Sequence, residues 1–360
     1  MARPRSVYRG KRKYGWIISV AAFLLIFVLM AGVWLFYDLQ KYIEFEKDAV
    51  RLVFTEEEVQ EGDSGEDIPI AEAVTNPQIV VEIPDFTDME SLVAGGMEPI
   101  KAMYVGEDNA KAATLSYYPG ILAQSQGGYN ALVINIKSED GYLRYFSSVP
   151  LATSYGVNGT ENLTDSLAAL SEEGIWLVAE VSCLVDNAMA VRNSALALRN
   201  GSGGVMANEN GSWLDPFNSG VREYVAAIIA ELAAMGFDEV LLTNVSFPAG
   251  TVQYSQPMSA APAGLSSVAS FGKYLREAAD EAGIKLSAVL DGKAMREGTS
   301  TAIGQDATFF LKVFDRVYVE TDIDNYAADT GALTAEAKEA AQVVTMVSGF
   351  TPSADSFFVR

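Results

Sequence analysis

The feature that most constrains the fold is a regular alternation of apolar runs and helical segments beginning near Pro99. Six runs have the length and composition of buried strands: IKAMYV (100–105), ALVINIK (131–137), IWLVAEV (175–181), EVLLTNV (239–245), KLSAVL (285–290) and RVYVET (316–321). Amphipathic helical patterns over residues 219–235 and 266–283 lie between some of them and stop at Gly236 and Gly283. Near-continuous apolar strands that alternate with helices favour a parallel sheet covered by helices.

Two weaker strand patterns in the tail, within residues 341–349 and 356–360, bring the number of strands to eight. We therefore expect an α/β fold of the (β/α)8 TIM-barrel type, in which the C-terminal strands are degenerate. An open, doubly wound sheet is the alternative. No glycine-rich phosphate loop follows a predicted strand, and GSGGV (201–205) has the wrong spacing, which weakens that alternative.

A second pattern lies at the N-terminus, where residues 16–37 contain no charge. As a helix this segment would span about 33 Å, enough for a bilayer core. Six basic residues precede it, and no cleavage-site pattern follows it, in contrast to a signal peptide. We expect a single-pass transmembrane helix with a cytoplasmic N-terminus and an extracytoplasmic body at the cell membrane.

These patterns divide the chain into four parts. They are a basic cytoplasmic tail (1–15), the transmembrane helix (16–37), an acidic juxtamembrane linker (38–97) and the barrel (98–360). Within the linker, residues 38–54 resemble a helical continuation, and residues 55–67 carry seven acids and no base. The string IVVEIPDF (79–86) predicts a short strand or an extended arm.

Composition excludes several classes of function. The chain has no His, so neither a Ser-His-Asp nor a Cys-His nucleophile is possible, and its single cysteine, Cys183, lies in a strand pattern. There are 25 basic and 47 acidic residues; without the six basic residues of the first fourteen, the remainder carries a charge of −28. Such a body has no electrostatic attraction for nucleic acid. We expect no cofactor and no metal: DIDNYAAD (322–329) departs from the EF-hand pattern, although calcium binding through other oxygen ligands stays open as an alternative.

Active sites of (β/α)8 barrels lie at the C-terminal ends of the strands. The polar residues there give three candidate catalytic carboxylates, Glu180, Asp291 and Glu320. Candidate substrate-binding residues are Asn135, Lys137, Glu139, Asp140, Asp186, Trp213, Thr243, Asn244 and Ser246. Paired carboxylates can hydrolyse a glycosidic bond without histidine or metal. Two alternatives stay open: Glu139 and Asp140 form a simple SEDG turn, and Glu180 forms an ion pair that lines the barrel.

Several strings together resemble a bacterial family of glycosyl hydrolase domains. They are residues 130–152, residues 211–242 with WLDPFN and GFDEV, VSFP (245–248) and IGQD (303–306). The resemblance covers roughly residues 98–325 in order. It implies an α-amylase-like (β/α)8 barrel and a secreted or surface-attached protein that acts on polysaccharide through acidic residues at strand ends.

The sequence departs from this family at several polar positions. Thr243 stands where the family has Asp, and Ser246 stands where it has Arg. Val289 takes an acidic position, Asn135 replaces an Asp and Glu180 replaces an Arg. A threonine hydroxyl is not ionised near neutral pH and cannot replace a catalytic carboxylate.

Three functions are consistent with these residues. The first is a glycoside-hydrolase-like protein that binds cell-wall or other extracellular polysaccharide with weakened or lost catalysis. The second is an active glycosidase with relocated carboxylates, and the third is a non-catalytic scaffold subunit of the cell envelope. The sequence does not identify protein partners.

Overall fold

The chain divides into two compact units, Met1–Asn76 and Pro77–Arg360. The computed structural model describes residues 43–46, 49–52, 84–93, 96–255, 263–332, 342–352 and 354–360. The predicted transmembrane segment, residues 16–37, and the acidic stretch, residues 55–67, lie outside these ranges. None of the helices within them is long and apolar enough to cross a membrane.

In the first unit, Ile43–Glu46 and Ala49–Leu52 pair as an antiparallel hairpin. The expected helical continuation over residues 38–54 is therefore wrong for these segments. The string IEFE alternates apolar and acidic residues with a period of two, and this period is typical of a strand.

The second unit is built on eight parallel strands. In chain order they are β1 (Lys101–Val105), β2 (Ala131–Lys137), β3 (Trp176–Ser182), β4 (Glu239–Thr243), β5 (Lys285–Asp291), β6 (Arg316–Glu320), β7 (Val343–Val347) and β8 (Phe357–Val359).

The eight strands close into a barrel in which each strand pairs with the next along the chain. Closure comes from β8, where Phe358 pairs with Ala102 of β1 in parallel register. The predicted eight-stranded barrel is thus confirmed. The last strand has only three residues, and no helix occurs in residues 348–352 and 354–356, the described part of its connection to β7.

Helices lie between the strands and cover the barrel. They are α1 (Ala112–Leu115), α2 (Tyr118–Gln124), α3 (Pro150–Ser154), α4 (Thr164–Glu172), α5 (Asn187–Arg192), α6 (Ser219–Met235), α7 (Gly264–Ala282), α8 (Gly292–Glu297), α9 (Ala307–Val313) and α10 (Tyr326–Gly331). Short ribbons pair Arg199–Asn200 with Val252–Gln253, Ala207–Asn208 with Gly211–Ser212, and Thr299–Ser300 with Gln305–Asp306.

Helix α6 shows how local sequence fixes these boundaries. The Asn218 side chain accepts a hydrogen bond from the backbone N–H of Gly220 at 2.9 Å and caps the first turn. The helix ends at Gly236, whose φ of 97° is the left-handed conformation that glycine adopts without strain.

The apolar core has two parts, separated by the barrel wall. One part fills the space between the strands and the helices and includes Leu132, Leu177 and Val240. The other fills the barrel interior and includes Val133, Val178, Leu241, Val289, Tyr318 and Phe358. Because side chains alternate along a strand, every second residue of each strand faces this interior.

A buried polar cluster closes the N-terminal end of the interior. The carboxylate of Glu239 forms an ion pair with Arg316 and accepts hydrogen bonds from Ser287 Oγ at 2.6 Å, Trp176 Nε1 at 2.9 Å and Tyr318 OH at 3.0 Å. These residues come from β3, β4, β5 and β6, so one carboxylate connects four strands at the base of the barrel.

The expected strand or arm covers residues 79–86, of which 79–83 lie outside the described residues; residues 84–86 and the segment that follows, to residue 93, have no regular secondary structure. This part of the chain packs on α9: the ring centroids of Phe86 and Phe309 lie 5.0 Å apart, and Lys312 Nζ donates to the carbonyl of Thr87 at 2.6 Å. The chain therefore contacts the barrel wall before it enters β1.

Candidate active site at the barrel mouth

The C-terminal ends of the strands form a mouth with one residue from each strand or directly after it. On β3, for example, Val178 belongs to the interior core, and Glu180 returns to the same face two residues later. The residues placed in this way, which we term the mouth ring, are Tyr104, Asn135, Glu180, Thr243, Asp291, Glu320, Met346 and Arg360.

Glu180 is the most enclosed ionisable residue of the mouth ring, with 1% of its side chain exposed. Its Oε2 accepts a hydrogen bond from Asn135 Nδ2 at 2.8 Å, and its Oε1 lies 3.5 Å from Arg360 Nη2. Burial raises the pKa of Glu180, and the negative charge of Glu139 raises it further. The positive charge of Arg360 and the hydrogen bond from Asn135 lower it, but only in part, and the net change is upward. Glu180 therefore retains its proton to a higher pH than an exposed glutamate.

Arg360 places a cation at the mouth. Its guanidinium lies 5.0 Å from the ring centroid of Tyr104, with Nη2 3.5 Å from the Tyr104 hydroxyl. Although partial burial by itself lowers the pKa of Arg360, the nearby Glu180 carboxylate raises it, and the net change is upward. The side chain remains 37% exposed, so this cation lies between Glu180 and solvent.

Asp291 and Glu320 are register partners on neighbouring strands β5 and β6. The Asp291 side chain accepts a hydrogen bond from the backbone N–H of Ala294 at 3.1 Å and so caps α8. Glu320 is exposed at the mouth. Desolvation raises the pKa of Glu320, Arg360 lowers it in part, and the charges of Asp291 and Glu139 raise it further. Glu320 is thus an accessible carboxyl group that holds a proton more tightly than usual.

Glu139 is fixed by a strained residue at the end of β4. Asn244 has a φ of 56°, in the left-handed region that asparagine tolerates better than most residues. Its Nδ2 donates to Glu139 Oε1 at 2.8 Å and to Ser182 Oγ at 2.9 Å. The predicted site residues Glu139 and Asn244 are therefore in direct contact, and the strained backbone orients the carboxylate.

Lys137 and Asp186 form a buried ion pair with a separation of 2.9 Å, and neither side chain is more than 1% exposed. Lys137 Nζ also donates to the carbonyl of Ser182 at 2.7 Å, while Asp186 caps α5 through the N–H of Met189 at 2.7 Å. A Cβ atom at Gly141, which has a φ of 88°, would lie 2.0 Å from Asp186 Oδ1. This pair supports the loops of the mouth from within and is closed to solvent.

The remaining predicted residues are distributed more widely. Asp140 contacts Arg144 at 2.8 Å and accepts the N–H of Tyr142 at 2.9 Å, as expected of the SEDG turn. The indole of Trp213 is buried and donates to Asn208 Oδ1 at 2.9 Å. Thr243 belongs to the mouth ring with 9% exposure, and Ser246 is partly exposed. Their roles in substrate binding stay predictions.

Three members of the mouth ring, Tyr104, Met346 and Arg360, are not among the residues that the sequence singles out, and two of these three, Tyr104 and Arg360, carry polar groups. A period-two signal was available for both. Tyr104 stands two residues after Ala102, and Arg360 stands two residues after Phe358, and both of these earlier residues belong to the interior core. Applying the alternation to the short last strand would have placed Arg360 at the mouth.

The mouth combines carboxyl groups of raised pKa with neighbouring carboxylates, an amide and a guanidinium. A protonated carboxyl can donate a proton to a leaving oxygen, and a second carboxylate can stabilise positive charge or activate water. In the described part of the chain, no group of three or more Cys, Asp or Glu residues could hold a metal ion. The side chains of the mouth ring can supply hydrogen bonding, charge stabilisation and proton transfer.

The fold and the site define the class as a closed (β/α)8 barrel with carboxyl groups at its C-terminal mouth, an arrangement compatible with glycoside hydrolysis. The chain belongs to the family described as "Putative glycosyl hydrolase domain", whose model matches residues 102–345. This match confirms the resemblance found in the sequence. No curated protein matches the chain.

Several solved structures are similar to this chain, and the first of those that follow supports the same fold. The glycoside hydrolase domain of PgaB (BpsB) from Bordetella bronchiseptica is 14% identical, with a TM-score of 0.54 over 73% of this chain and 94% of that chain. A hypothetical protein from Ruminiclostridium thermocellum ATCC 27405 is 25% identical, with a TM-score of 0.46 over 52% and 96%. An α-galactosidase from Thermus thermophilus is 18% identical, with a TM-score of 0.40 over 63% and 42%.

Proposed function

We propose that this chain is a membrane-anchored, extracytoplasmic protein that binds cell-envelope or other extracellular polysaccharide at the mouth ring and has weakened or lost catalysis. The fold and family supply the glycan-binding framework, and residues 16–37 supply the anchor. The observation that carries the proposal is the combination of Thr243 at the end of β4 with a Glu180 that is enclosed by Asn135 and Arg360.

The reduced catalysis follows from access. A general acid must come within hydrogen-bond distance of the glycosidic oxygen. Glu180 is 1% exposed and lies behind the guanidinium of Arg360, so a sugar reaches it only after that side chain moves. Thr243 supplies a hydroxyl where the family has a carboxylate. A neutral hydroxyl stabilises a positive charge and activates water much less effectively than a carboxylate does. Recognition through hydrogen bonds and ring contacts does not need either group.

Binding is tested with the full-length protein in detergent and a panel of insoluble envelope and plant polysaccharides. We expect retention on at least one of them. Because Tyr104 lies in the mouth ring, Y104A should weaken retention about tenfold, which corresponds to about 1.4 kcal/mol. The matched control is Y117A, since Tyr117 is 70% exposed, directly precedes helix α2 and is not a member of the mouth ring. No retention of the folded protein, or equal loss in both variants, would contradict the proposal.

A second candidate, an active glycosidase with relocated carboxylates, is favoured by Glu320. This carboxyl is exposed, its pKa is raised, and Asp291 is its register partner on the next strand. On this proposal Glu320 is the proton donor and Asp291 the second carboxylate. The test is release of reducing ends from a retained polysaccharide, and E320Q should lower the rate at least about 100-fold. Release of reducing ends at the same rate by the parent protein and by E320Q would contradict this assignment.

A further inference from the structure

The mouth carries more negative charge than its own side chains neutralise. Three members of the mouth ring, Glu180, Asp291 and Glu320, are carboxyl groups, and Arg360 is the one cation in that ring. Glu139 brings a fourth carboxylate, whose charge is close enough to act on both Glu180 and Glu320. Like charges that converge in this way are stabilised by a cation supplied from outside.

Lys137, at the C-terminal end of β2, does not neutralise the carboxylates of the mouth ring. Its ammonium group is 2.9 Å from Asp186 and 2.7 Å from the carbonyl of Ser182, and its side chain is 1% exposed. The positive charge of Lys137 is therefore already balanced by a buried carboxylate.

The mouth also contains more hydrogen-bond acceptors than donors, which again favours a ligand that supplies N–H or O–H groups. Asn135 is 3% exposed, and its Nδ2 donates a hydrogen bond to Glu180. Its Oδ1 accepts no hydrogen bond from any residue in the part of the chain that the structure describes. Oε1 of Glu180 likewise accepts no hydrogen bond from a described residue; the Arg360 guanidinium lies 3.5 Å away, and the Tyr104 hydroxyl is close enough to the carboxyl group to affect its pKa. Buried acceptors without donors cost free energy, so a ligand that reaches these two acceptors after the Arg360 side chain has moved should bring N–H or O–H groups.

We infer that the glycan bound at this mouth carries free amino groups, that is, hexosamine units whose nitrogen is not acetylated. This inference rests on the proposed function and names its ligand class. A protonated amine provides three N–H donors and a positive charge, and both match a mouth with surplus acceptors and carboxylates. An N-acetyl group removes the charge and adds a carbonyl acceptor. Uronate and sulfate groups add negative charge, and the mouth excludes them by repulsion.

The test compares soluble oligomers of equal length by calorimetric titration of the full-length protein in detergent. The probes are β-1,4-linked glucosamine, β-1,4-linked N-acetylglucosamine, cello-oligosaccharide and oligogalacturonate, at a pH where the glucosamine amine is protonated. We expect the glucosamine oligomer to bind at least about tenfold more tightly than the N-acetylated and neutral oligomers. Added salt should weaken the glucosamine complex more than the neutral ones.

Two variants locate the effect. E320Q removes one negative charge from the mouth with little change of shape and should reduce the preference for glucosamine about tenfold. E173Q is the matched control because Glu173 is exposed just before β3, at the opposite end of the barrel, and it should leave the preference unchanged.

The outcomes separate this inference from the proposed function. Equal or tighter binding of the neutral or N-acetylated oligomers, or a preference that E320Q does not change, would overturn the amino-sugar inference and leave glycan binding in place. If the protein binds none of the four oligomers and retains none of the insoluble polysaccharides, the proposed function fails and this inference fails with it.

Discussion

At the scale of single residues, Glu180 is one of two carboxyl groups of the mouth ring, with Glu320, whose pKa is raised. The folded protein keeps the carboxyl of Glu180 away from water, and one amide hydrogen bond and a distant guanidinium replace only part of its hydration. The pKa of Glu180 is therefore higher in the folded than in the unfolded chain. The stabilisation from this difference is fully present below the unfolded pKa and is lost as the pH rises through the folded pKa.

The first prediction is that E180Q flattens the pH dependence of stability. Above the unfolded value near pH 4.3, the free energy of unfolding of the parent protein should fall until the pH has passed the folded pKa. Glutamine does not ionise, and its side-chain carbonyl can still accept the hydrogen bond from Asn135, so E180Q should reduce this slope; Glu320, whose pKa is also raised, contributes a slope of the same sign that E180Q leaves in place. Urea unfolding at a series of pH values measures it, with E173Q as the control that keeps the parent slope. A parent slope that E180Q leaves unaltered would contradict the assignment to Glu180.

Residues of the site differ in how far sequence alone could place them. Asn135, Glu180, Asp291 and Glu320 could be predicted because each interrupts or ends an apolar strand. The pairing of Lys137 with Asp186 could not be predicted, because an irregularity in the β2–β3 register between Asn135 and Lys137 changes which residues oppose each other. The position of Lys137 relative to β3 depends on how the two strands pair, and this pairing cannot be read from either strand alone.

At the scale of elements, the barrel strands are held at their base by Glu239. Four strands contribute to its cluster, and the partners of Glu239 include a buried guanidinium, Arg316, that also lies 5.4 Å from the Trp176 ring centroid. The sequence predicted the strands well because buried parallel strands are nearly continuous apolar runs. It did not predict the antiparallel pairing of residues 43–46 with residues 49–52, where mixed charge is compatible with both a helix and a strand.

The second prediction compares two ways of damaging this cluster. E239A leaves Arg316 buried without its carboxylate and should cost about 3–5 kcal/mol of stability. Y318F removes one hydrogen bond to Glu239 and should cost only about 1 kcal/mol. Urea unfolding of both variants provides the comparison. Equal losses in the two variants would show that the ion pair does not link the strands as described.

At the scale of the whole molecule, charge is distributed unevenly between the ends of the chain. The first fourteen residues carry six of the 25 basic groups, while the rest of the chain carries all 47 acids. We propose that this asymmetry orients residues 16–37 across the membrane with the barrel outside. The acidic surface of the barrel then opposes binding to anionic lipids and nucleic acids.

The third prediction concerns this anchor. The full-length protein should sediment with membranes and be released by detergent but not by high salt, because a transmembrane helix is held by apolar burial. A variant that lacks residues 1–76, which leaves the second compact unit intact, should stay in the supernatant. Fractionation followed by immunoblotting makes the measurement. Release of the full-length protein by salt alone would contradict the anchor.

The most direct test of the central claim, that the C-terminal mouth of the barrel binds glycan, is hydrogen–deuterium exchange of the full-length protein with and without its retained polysaccharide. We predict slower exchange in peptides that cover the strand ends at residues 135–141, 180–186 and 318–324. Peptides at the base, such as residues 236–240, should not change. Protection confined to the base or the outer helices, with none at these strand ends, would contradict the account.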